Sequence, residues 1–293
     1  MAKYHILVNP KAANGRGAAR AENLKKVLSG NDLEYYDITK ISDYADFIGK
    51  LSEGDSIVIA GGDGTLSRYI NDTLGIEYTN DVYYFACGTG NDFMNDIQAD
   101  PEKPVLVNDY IKNLPVAEIN GKKYKFINGI GYGIDGYCCE EGDKLRAAGS
   151  KAINYTAIAL KGLLFGYKRR NAKITVDGKV HNYKKVWLAP TMNGRYYGGG
   201  MMATPTQDRL NSEKTVTVSP MYGGTKLKTL MIFPSIFKGK HIRHKEMVSI
   251  LSGHEIEVEF DRPTALQVDG ETVLNVKKYA VHATAAARSA TVL

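Results

Sequence analysis

The stretch Asp55–Tyr69, DSIVIAGGDGTLSRY, combines a strand, a glycine turn and the start of a helix. Its apolar run Ile57–Ala60 is rich in β-branched residues and predicts a buried parallel strand. The turn Gly61–Thr65 follows, and a helix is expected from Leu66 to about Leu74. Glycines allow the backbone to approach a ligand closely, and the free N–H groups of a helix start favour anions. The stretch therefore predicts a phosphate-binding turn, with an empty strand-to-helix turn as the alternative.

Asp63 does not fit a turn that binds phosphate alone, because its carboxylate repels that anion. It fits if it accepts backbone or side-chain hydrogen bonds, or if it faces a metal ion that bridges to phosphates. Both roles stay open at this point. The turn is not a Walker A loop, since no Gly-Lys-Ser or Gly-Lys-Thr follows it. We therefore expect it to bind a metal-bound nucleotide.

The composition indicates an ordinary soluble protein of 293 residues, long enough for two domains with a core each. A net charge of +6 suits an anionic substrate or a membrane surface and is too small to indicate nucleic acid. Three cysteines, two of them adjacent at Cys138 and Cys139, argue for a reducing compartment. The start MAKYHILVNP predicts no signal peptide, and Ala152–Tyr167 is too short and polar to span a bilayer. A cytoplasmic protein is expected.

Four strand patterns alternate with helix patterns in the N-terminal part, at residues 3–9, 33–39, 57–60 and 83–86. Helices are expected over Ala18–Leu28 and Asp43–Leu51. This alternation predicts a parallel sheet with right-handed crossovers. Ligands lie at the carboxyl ends of such strands, so Asn9, Thr39 and the two glycine turns should meet at one edge. For Asn9 and Thr39, an ordinary role within a turn is the alternative.

The pattern changes after Asn171 to short alternating strands between glycine turns, which predicts an antiparallel β-sandwich. The expected strands lie in AKITVDG, HNYKKVWLAP, KTVTVSPM, HEIEVEF and KYAVHA. A helix is expected over Ala147–Arg170, with Leu160, Leu163, Leu164 and Phe165 on its apolar side. We expect an α/β fold with two domains, a three-layer nucleotide-binding domain of residues 1–115 and a β-sandwich domain of residues 116–293.

A second glycine turn, GTGNDF at Gly88–Phe93, follows VNP at Val8–Pro10 and GGDGT along the chain. In this order the motifs resemble the diacylglycerol kinase catalytic-domain family, in particular its bacterial soluble lipid kinases. NAD kinases share GGDGT but carry a different second motif. The usual proline two residues before GT is Ala86 here. The resemblance extends to Phe126–Asp135, to the glycine-rich strip Asn193–Met201 and to the DGE of residues 269–271, so it covers nearly the whole chain.

The resemblance implies ATP and Mg²⁺ as cofactors and a set of residues that bind the nucleotide. These are Asn9, Thr39, Gly61, Gly62, Asp63, Gly64, Thr65, Gly88, Thr89, Asn91 and Asp92. It also implies that Asp135 joins a hydrogen-bonded network behind the active site. In the family, paired aspartates near residues 208–214 often hold a structural Mg²⁺. Asn211 and Ser212 stand there in this chain, so we expect no such ion.

Asp269 and Glu271 are the candidate catalytic pair. Residues two apart in an extended segment face the same side, so the two carboxylates can converge. A kinase that acts on an alcohol needs a carboxylate to accept the hydroxyl proton. A plain Asp-Gly hairpin turn is the alternative for an isolated DGE. The resemblance assigns catalysis to this triad, with Asp269 as the base.

The expected function is transfer of the γ-phosphoryl group of ATP to a lipid hydroxyl, with diacylglycerol giving phosphatidic acid. An NAD kinase and a catalytically silent nucleotide- or lipid-binding regulator are the alternatives. We expect a lipid substrate at the inner membrane surface, with peripheral attachment through the basic clusters Lys168–Arg170 and Lys238–Lys245. No nucleic acid is expected as a partner, and a homodimer stays open.

Overall fold

A computed structural model describes residues 2–150 and 153–283. The N-terminal part contains a sheet of five strands, β1 Lys3–Val8, β2 Asp32–Asp37, β3 Ser56–Gly61, β4 Asp81–Ala86 and β5 Val105–Leu106. Their order is β2-β1-β3-β4-β5. The first four strands are parallel, as predicted, and β5 adds an antiparallel edge to β4. The sequence did not predict β5, because two residues are too few to show a period.

Helices cover both faces of this sheet, which confirms the three-layer α/β architecture. They are α1 Ala12–Gly15, α2 Gly17–Ala21, α3 Leu24–Val27, α4 Tyr44–Gly49, α5 Asp63–Asp72, α6 Asp92–Ile97 and α7 Asn108–Lys112. Alternate strand residues point to opposite faces. One face therefore packs Ile57 and Ile59 against α4 and α5, and the other packs Ile6 and Val58 against α2 and α3.

Two helix predictions in this domain need correction. The helix expected over Ala18–Leu28 consists of the short helices α2 and α3, preceded by α1. The helix after the glycine turn begins at Asp63 instead of Leu66. Gly62 is extended and its carbonyl accepts hydrogen bonds from the N–H groups of Thr65 and Leu66. Of the residues that the sequence assigned to the turn, Asp63, Gly64 and Thr65 are therefore in the first turn of α5.

The C-terminal part is built from antiparallel strands. They are β6 Val116–Ile119, β7 Lys122–Lys125, β8 Gly129–Tyr132, β9 Arg170–Val176, β10 Lys179–Leu188, β11 Thr191–Met192, β12 Tyr196–Tyr197, β13 Met201–Met202, β14 Val216–Val218, β15 Met221–Tyr222, β16 Leu251–Gly253, β17 Glu255–Val268 and β18 Glu271–His282. Eleven of them form one sheet around a buried apolar core, and β12 pairs with β13. This confirms the predicted sandwich-like domain. The boundary expected after residue 115 stays a prediction.

Three helices accompany this sheet: α8 Ile134–Ala147, α9 Tyr155–Lys161 and α10 Lys226–Ile232. A π-helical turn, Gly162–Gly166, continues α9, and 3₁₀ turns at Phe233–Lys238 and Lys240–Arg243 follow α10. The helix expected over Ala147–Arg170 is confirmed only over Tyr155–Gly166, since α8 ends at Ala147 before Gly149, whose φ is +91°, and β9 begins at Arg170. Within the described residues, no helix is long and apolar enough to cross a membrane.

Candidate active site

A cleft with a volume of about 740 Å³ lies where the loops of the two sheets meet. Most of the predicted site residues line it: Asn9, Thr39, Gly62, Asp63, Gly64, Thr65, Gly88, Thr89, Asp269 and Glu271. Gly61, Asn91 and Asp92 do not line it, although Asp92 contacts Asp63 from behind. The strand order places β1 between β2 and β3, so the cleft lies at a topological switch point of the parallel sheet.

The loops after β1, β3 and β4 contact one another directly. Asn9 donates a hydrogen bond from Nδ2 to Thr65 Oγ1 at 2.8 Å. A Cβ atom at Gly88 would lie 2.7 Å from Gly62 Cα, so the two glycine turns touch and no side chain fits at Gly88. Thr39 donates its hydroxyl to Asp37 at 2.7 Å and also lines the cleft. Thr39 therefore has the turn role that the sequence offered as the alternative, and its contact with a nucleotide stays a prediction.

Asp63 accepts two backbone hydrogen bonds, from the N–H of Asp92 at 2.8 Å and of Phe93 at 3.2 Å. This is the first of the two roles expected for it. Burial raises the pKa of Asp63 to about 7, with the neighbouring Asp92 carboxylate as the second cause. The carboxylate fixes the second glycine turn to the first.

Asp92 continues this arrangement into the second domain. Its two carboxylate oxygens accept the N–H groups of Gly199 at 2.8 Å and Gly200 at 2.6 Å. Burial raises the pKa of Asp92, and the two N–H groups oppose that rise. The glycine-rich strip beside the cleft is thus attached to the start of α6.

Asp269 and Gly270 form the two-residue turn of the β17–β18 hairpin, with φ angles of +45° and +97°. The expected extended segment is wrong here, because Val268 pairs directly with Glu271 across the turn. Both carboxylates still line the cleft. Glu271 is exposed, whereas Asp269 is half-buried.

Three backbone N–H groups fix the Asp269 carboxylate. Oδ2 accepts the N–H of Ile127 at 2.7 Å, and Oδ1 accepts those of Asn128 and Gly129 at 2.9 Å each. Burial raises the pKa of Asp269, and these donors oppose the rise. The side chain is therefore fixed in orientation and its pKa is above that of an ordinary aspartate.

A buried ion-pair cluster between the domains was not predicted. Asp96 on α6 accepts hydrogen bonds from Arg195 Nε at 2.7 Å and Arg209 Nε at 2.5 Å. Arg209, whose side chain is 4% exposed, also donates to Ile127 O at 2.9 Å and to Asn128 Oδ1 at 3.2 Å. The cluster therefore holds the segment that fixes Asp269.

The loop that follows Arg209 does not fit a structural magnesium site. Asn211 donates from Nδ2 to the carbonyls of Asp208 and Thr215, and its Oδ1 accepts the N–H of Thr215. Asp208 accepts the N–H of Leu210. Among the described residues, no group of three or more His, Cys, Asp or Glu side chains could hold a metal ion. Asn211 closes this loop through its own hydrogen bonds, and the absence of a structural Mg²⁺ here stays a prediction.

Two family models together match most of the chain. One, described as the diacylglycerol kinase catalytic domain, matches residues 3–117. The other, described as the YegS C-terminal NAD kinase beta sandwich-like domain, matches residues 128–285. The chain belongs to the diacylglycerol kinase catalytic-domain family. Membership of this family indicates that the protein is a kinase.

Named relatives of this family member share modest sequence identity with it. A "Diacylglycerol kinase" of Mycobacterium tuberculosis (strain CDC 1551 / Oshkosh) is 25% identical over 213 residues, 70% of this chain and 67% of the relative. "Putative lipid kinase YtlR" of Bacillus subtilis (strain 168) is 20% identical over 295 residues, 92% and 94% of the two chains. A solved structure, "A putative diacylglycerol kinase from Bacillus anthracis str. Sterne", has a TM-score of 0.67 at 21% identity and covers 96% and 93%. That likeness supports the fold.

This kinase-family member has three cations in the cleft that the sequence did not single out, Lys11, Arg68 and Arg146. Arg68 forms an ion pair with Asp72 at 3.3 Å and Arg146 forms one with Asp143 at 2.7 Å. Isolated basic residues carry no motif, so only their position in the fold assigns them to the site. They add positive charge to a cleft whose lining also contains four Asp and Glu residues.

An apolar pocket of about 120 Å³ adjoins the cleft and shares Cys139, Tyr155 and Gly198 with it. Its other lining residues include Met201 and Phe237. At its polar end, Tyr197 donates its hydroxyl to Asp135 at 2.8 Å. Burial raises the pKa of Asp135 to about 7, and that hydrogen bond opposes the rise. The family member thus combines a polar cleft with an apolar extension.

Proposed function

We propose that this protein is an ATP-dependent lipid kinase whose acceptor is the hydroxyl group of diacylglycerol, giving phosphatidic acid. The observation that carries the proposal is the cleft itself. It brings together the two glycine turns and the Asp269–Glu271 pair, and an apolar pocket adjoins it. Family membership supports a kinase, and the geometry supports the choice of donor and acceptor.

The nucleotide side of the cleft is formed by Gly62–Thr65 and Gly88–Gly90, with Lys11 and Arg68 at its rim. Glycines at the contact of the two turns leave room for phosphates, and the cations offset phosphate charge. Mg²⁺ bound with the nucleotide would neutralise charge on the transferred group. Its ligands would be phosphate oxygens and at most one or two carboxylates, of which Asp63 is the one inside the turn.

Asp269 is the proposed general base. Its carboxylate is held in one orientation, and its raised pKa makes it a better proton acceptor than an ordinary aspartate. The proton of the lipid hydroxyl passes to Asp269 as the hydroxyl oxygen bonds to the γ-phosphorus. The bond from that phosphorus to the β-γ bridging oxygen breaks, and ADP leaves. Glu271, exposed at the cleft, assists in positioning the hydroxyl.

The apolar pocket favours a lipid acceptor over NAD. Met201 and Phe237 offer a surface that suits an acyl chain, whereas a dinucleotide needs partners for two riboses and a pyrophosphate. A silent regulator was considered because of the altered loop at Asn211 and Ser212. Arg209, which precedes this loop, makes the hydrogen bonds to Asp96 and to Ile127 on the catalytic side. The altered loop therefore gives no reason to expect lost activity.

The test is a labelling experiment with three outcomes. Purified protein is incubated with γ-labelled ATP and Mg²⁺, in one sample with mixed micelles of diacylglycerol and in another with NAD. We expect label in phosphatidic acid. Label in NADP selects the NAD kinase, and label in neither product, with ATP binding retained, selects the silent regulator. Phosphatidylglycerol, a sphingoid base and ceramide in matched micelles test the choice of lipid.

A further inference from the structure

Six large apolar side chains are exposed on two neighbouring helical segments of the C-terminal part. We call them the apolar face: Leu160, Leu164, Phe165, Leu227, Met231 and Phe237. Phe165 is 82% exposed, Met231 75% and Leu227 69%. Single exposed apolar residues are ordinary, but a contiguous group of this size marks an interaction surface.

The two segments adjoin each other. Lys226, the first residue of α10, donates from Nζ to Leu164 O at 2.6 Å. On their inner sides Leu163, Ile232 and Phe233 pack into one buried cluster. Residues four apart on a helix share a side, so Leu227 and Met231 project together and away from that cluster.

The surroundings of the apolar face are strongly basic. Residues 153–170 and 223–245 contain ten Lys and Arg side chains and no Asp or Glu, and one of the ten, Lys228, is paired with Glu246 at 2.8 Å. Because the whole chain has a charge of +6, the remainder has a net charge of −4. Lys161, Lys226 and Lys238 are exposed within these two segments. A solvent-exposed apolar face bordered by cations is complementary to an anionic bilayer.

One part of the predicted basic cluster is not available for this role. Arg169 lies over the Trp187 ring at 4.8 Å and donates to the carbonyls of Gly223 and Gly224. Arg169 therefore joins the two segments internally, and of the residues 168–170 Lys168 is exposed while the two arginines are half-buried. We therefore assign the attraction to lipid headgroups to the lysines that border the apolar face.

The apolar face is continuous with the apolar pocket. Phe237 belongs to both, being 42% exposed and also part of the pocket lining. Tyr155, at the start of α9, lines the pocket and the cleft. A lipid that leaves a bilayer at the apolar face would therefore meet apolar side chains up to the cleft that contains Asp269.

We propose that the apolar face is the membrane-docking surface of this protein. Phe165, Leu227 and Met231 enter the interface of an anionic bilayer, and the surrounding lysines contact its headgroups. The inference adds a docking surface to the proposed lipid kinase function. It rests on that function only for the identity of the lipid substrate that passes from the bilayer to the cleft. Binding to the bilayer itself requires no phosphoryl transfer.

The experiment measures vesicle binding without ATP. Phe165→Trp places a reporter on the apolar face, while the single native tryptophan, Trp187, is 1% exposed and gives a constant background. With phosphatidylcholine–phosphatidylglycerol vesicles we expect a blue shift and quenching by brominated lipid. Leu274→Trp, at an exposed site outside the apolar face, is the matched control and should show neither effect.

Binding strength is measured by co-flotation. Phe165→Ser with Met231→Ser should weaken binding about tenfold or more, because two large apolar side chains no longer leave water. Leu274→Ser should leave it unchanged. Lys161→Glu should weaken binding to anionic vesicles by about fivefold or more, and high salt should remove that difference.

Two results would overturn the proposal. One is unchanged vesicle binding in the Phe165 and Met231 double variant. The other is a concentration-dependent dimer, seen by light scattering, that the double variant abolishes while vesicle binding persists; the apolar face would then contact a second copy. Failure of the kinase proposal looks different, because a protein without lipid kinase activity would still bind vesicles through this face. Activity toward a short-chain soluble diacylglycerol should survive in the double variant.

Discussion

Replacing Asp269 by Asn tests the proposed base and its hydrogen bonds in one variant. Asn keeps an oxygen for the N–H groups of Asn128 and Gly129. It places an NH₂ group against the N–H of Ile127, which in the wild type donates to Oδ2 at 2.7 Å. One hydrogen bond to a charged acceptor is lost and two are weakened. We expect a loss of about 2–4 kcal/mol in the free energy of unfolding.

The expected kinetic effect is separate from this stability loss. Asn cannot accept the lipid proton, so kcat should fall by about 10²–10⁴-fold. The KM for ATP should change little, because Asp269 acts on the acceptor. Initial rates with diacylglycerol micelles are measured well below the unfolding temperature, and near-ultraviolet circular dichroism verifies that the variant is folded.

Glu271→Gln is the companion variant and the control for stability alone, since Glu271 is exposed and its replacement should alter stability by less than about 0.5 kcal/mol. A fall in kcat for Glu271→Gln as large as that for Asp269→Asn would mean that the two residues act as a unit. A large fall in Glu271→Gln alone would transfer the base role to Glu271. A destabilised Asp269→Asn with wild-type kcat would refute the reasoning and leave Asp269 as an anchor of residues 127–129 only.

Three further substitutions probe the carboxylates and the ion-pair cluster. Asp63→Ala should lower lipid phosphorylation by about 10²-fold or more while the protein stays folded, because the two glycine turns lose their link; a wild-type rate at saturating ATP and Mg²⁺ would contradict this. Arg209→Met should lower the free energy of unfolding in urea by about 3 kcal/mol, since Asp96 stays buried with one partner fewer. Arg209→Lys should restore only part of this stability. Equal stability of Arg209→Met and wild type would argue against a stabilising role of the ion-pair cluster. The pKa of Asp135 in the folded protein, about 7, lies above its ordinary value, so the folded state binds an extra proton between about pH 4 and pH 7 and loses stability as pH rises through that window. Asp135→Asn should therefore be more stable than wild type by roughly 2–4 kcal/mol at pH 8 and nearly equal at pH 4, as measured by unfolding at both pH values.

The sequence predicts the secondary structure best where a period or a turn is local. The parallel strands around Ile57–Ala60 and the antiparallel strands after Asn171 are such cases. The Asp269–Gly270 hairpin also has a local signal, an Asp-Gly pair between alternating strands. An extended segment would also bring the two carboxylates together, but the structure brings them together through the turn.

The ion-pair cluster had no local signal. Asp96 lies 99 residues from Arg195 and 113 residues from Arg209, and each of the three looks like an ordinary surface charge in the sequence. The apolar face was missed for a different reason. Leu160, Leu164 and Phe165 have the spacing of a core-facing helix, and a spacing of three or four residues does not show whether the apolar side meets protein or solvent.

The three aspartates at the cleft share a feature with a consequence for sequence variation. Asp63, Asp92 and Asp269 accept hydrogen bonds from seven main-chain N–H groups. Every amino acid except proline supplies such a donor. At Phe93 and Ile127 every replacement except proline therefore keeps the N–H donor. The acceptor is a side chain, so a replacement of any of the three aspartates removes it. In a substitution library of this protein, proline at Phe93 or Ile127 should accordingly be the replacement that removes these hydrogen bonds to the aspartates.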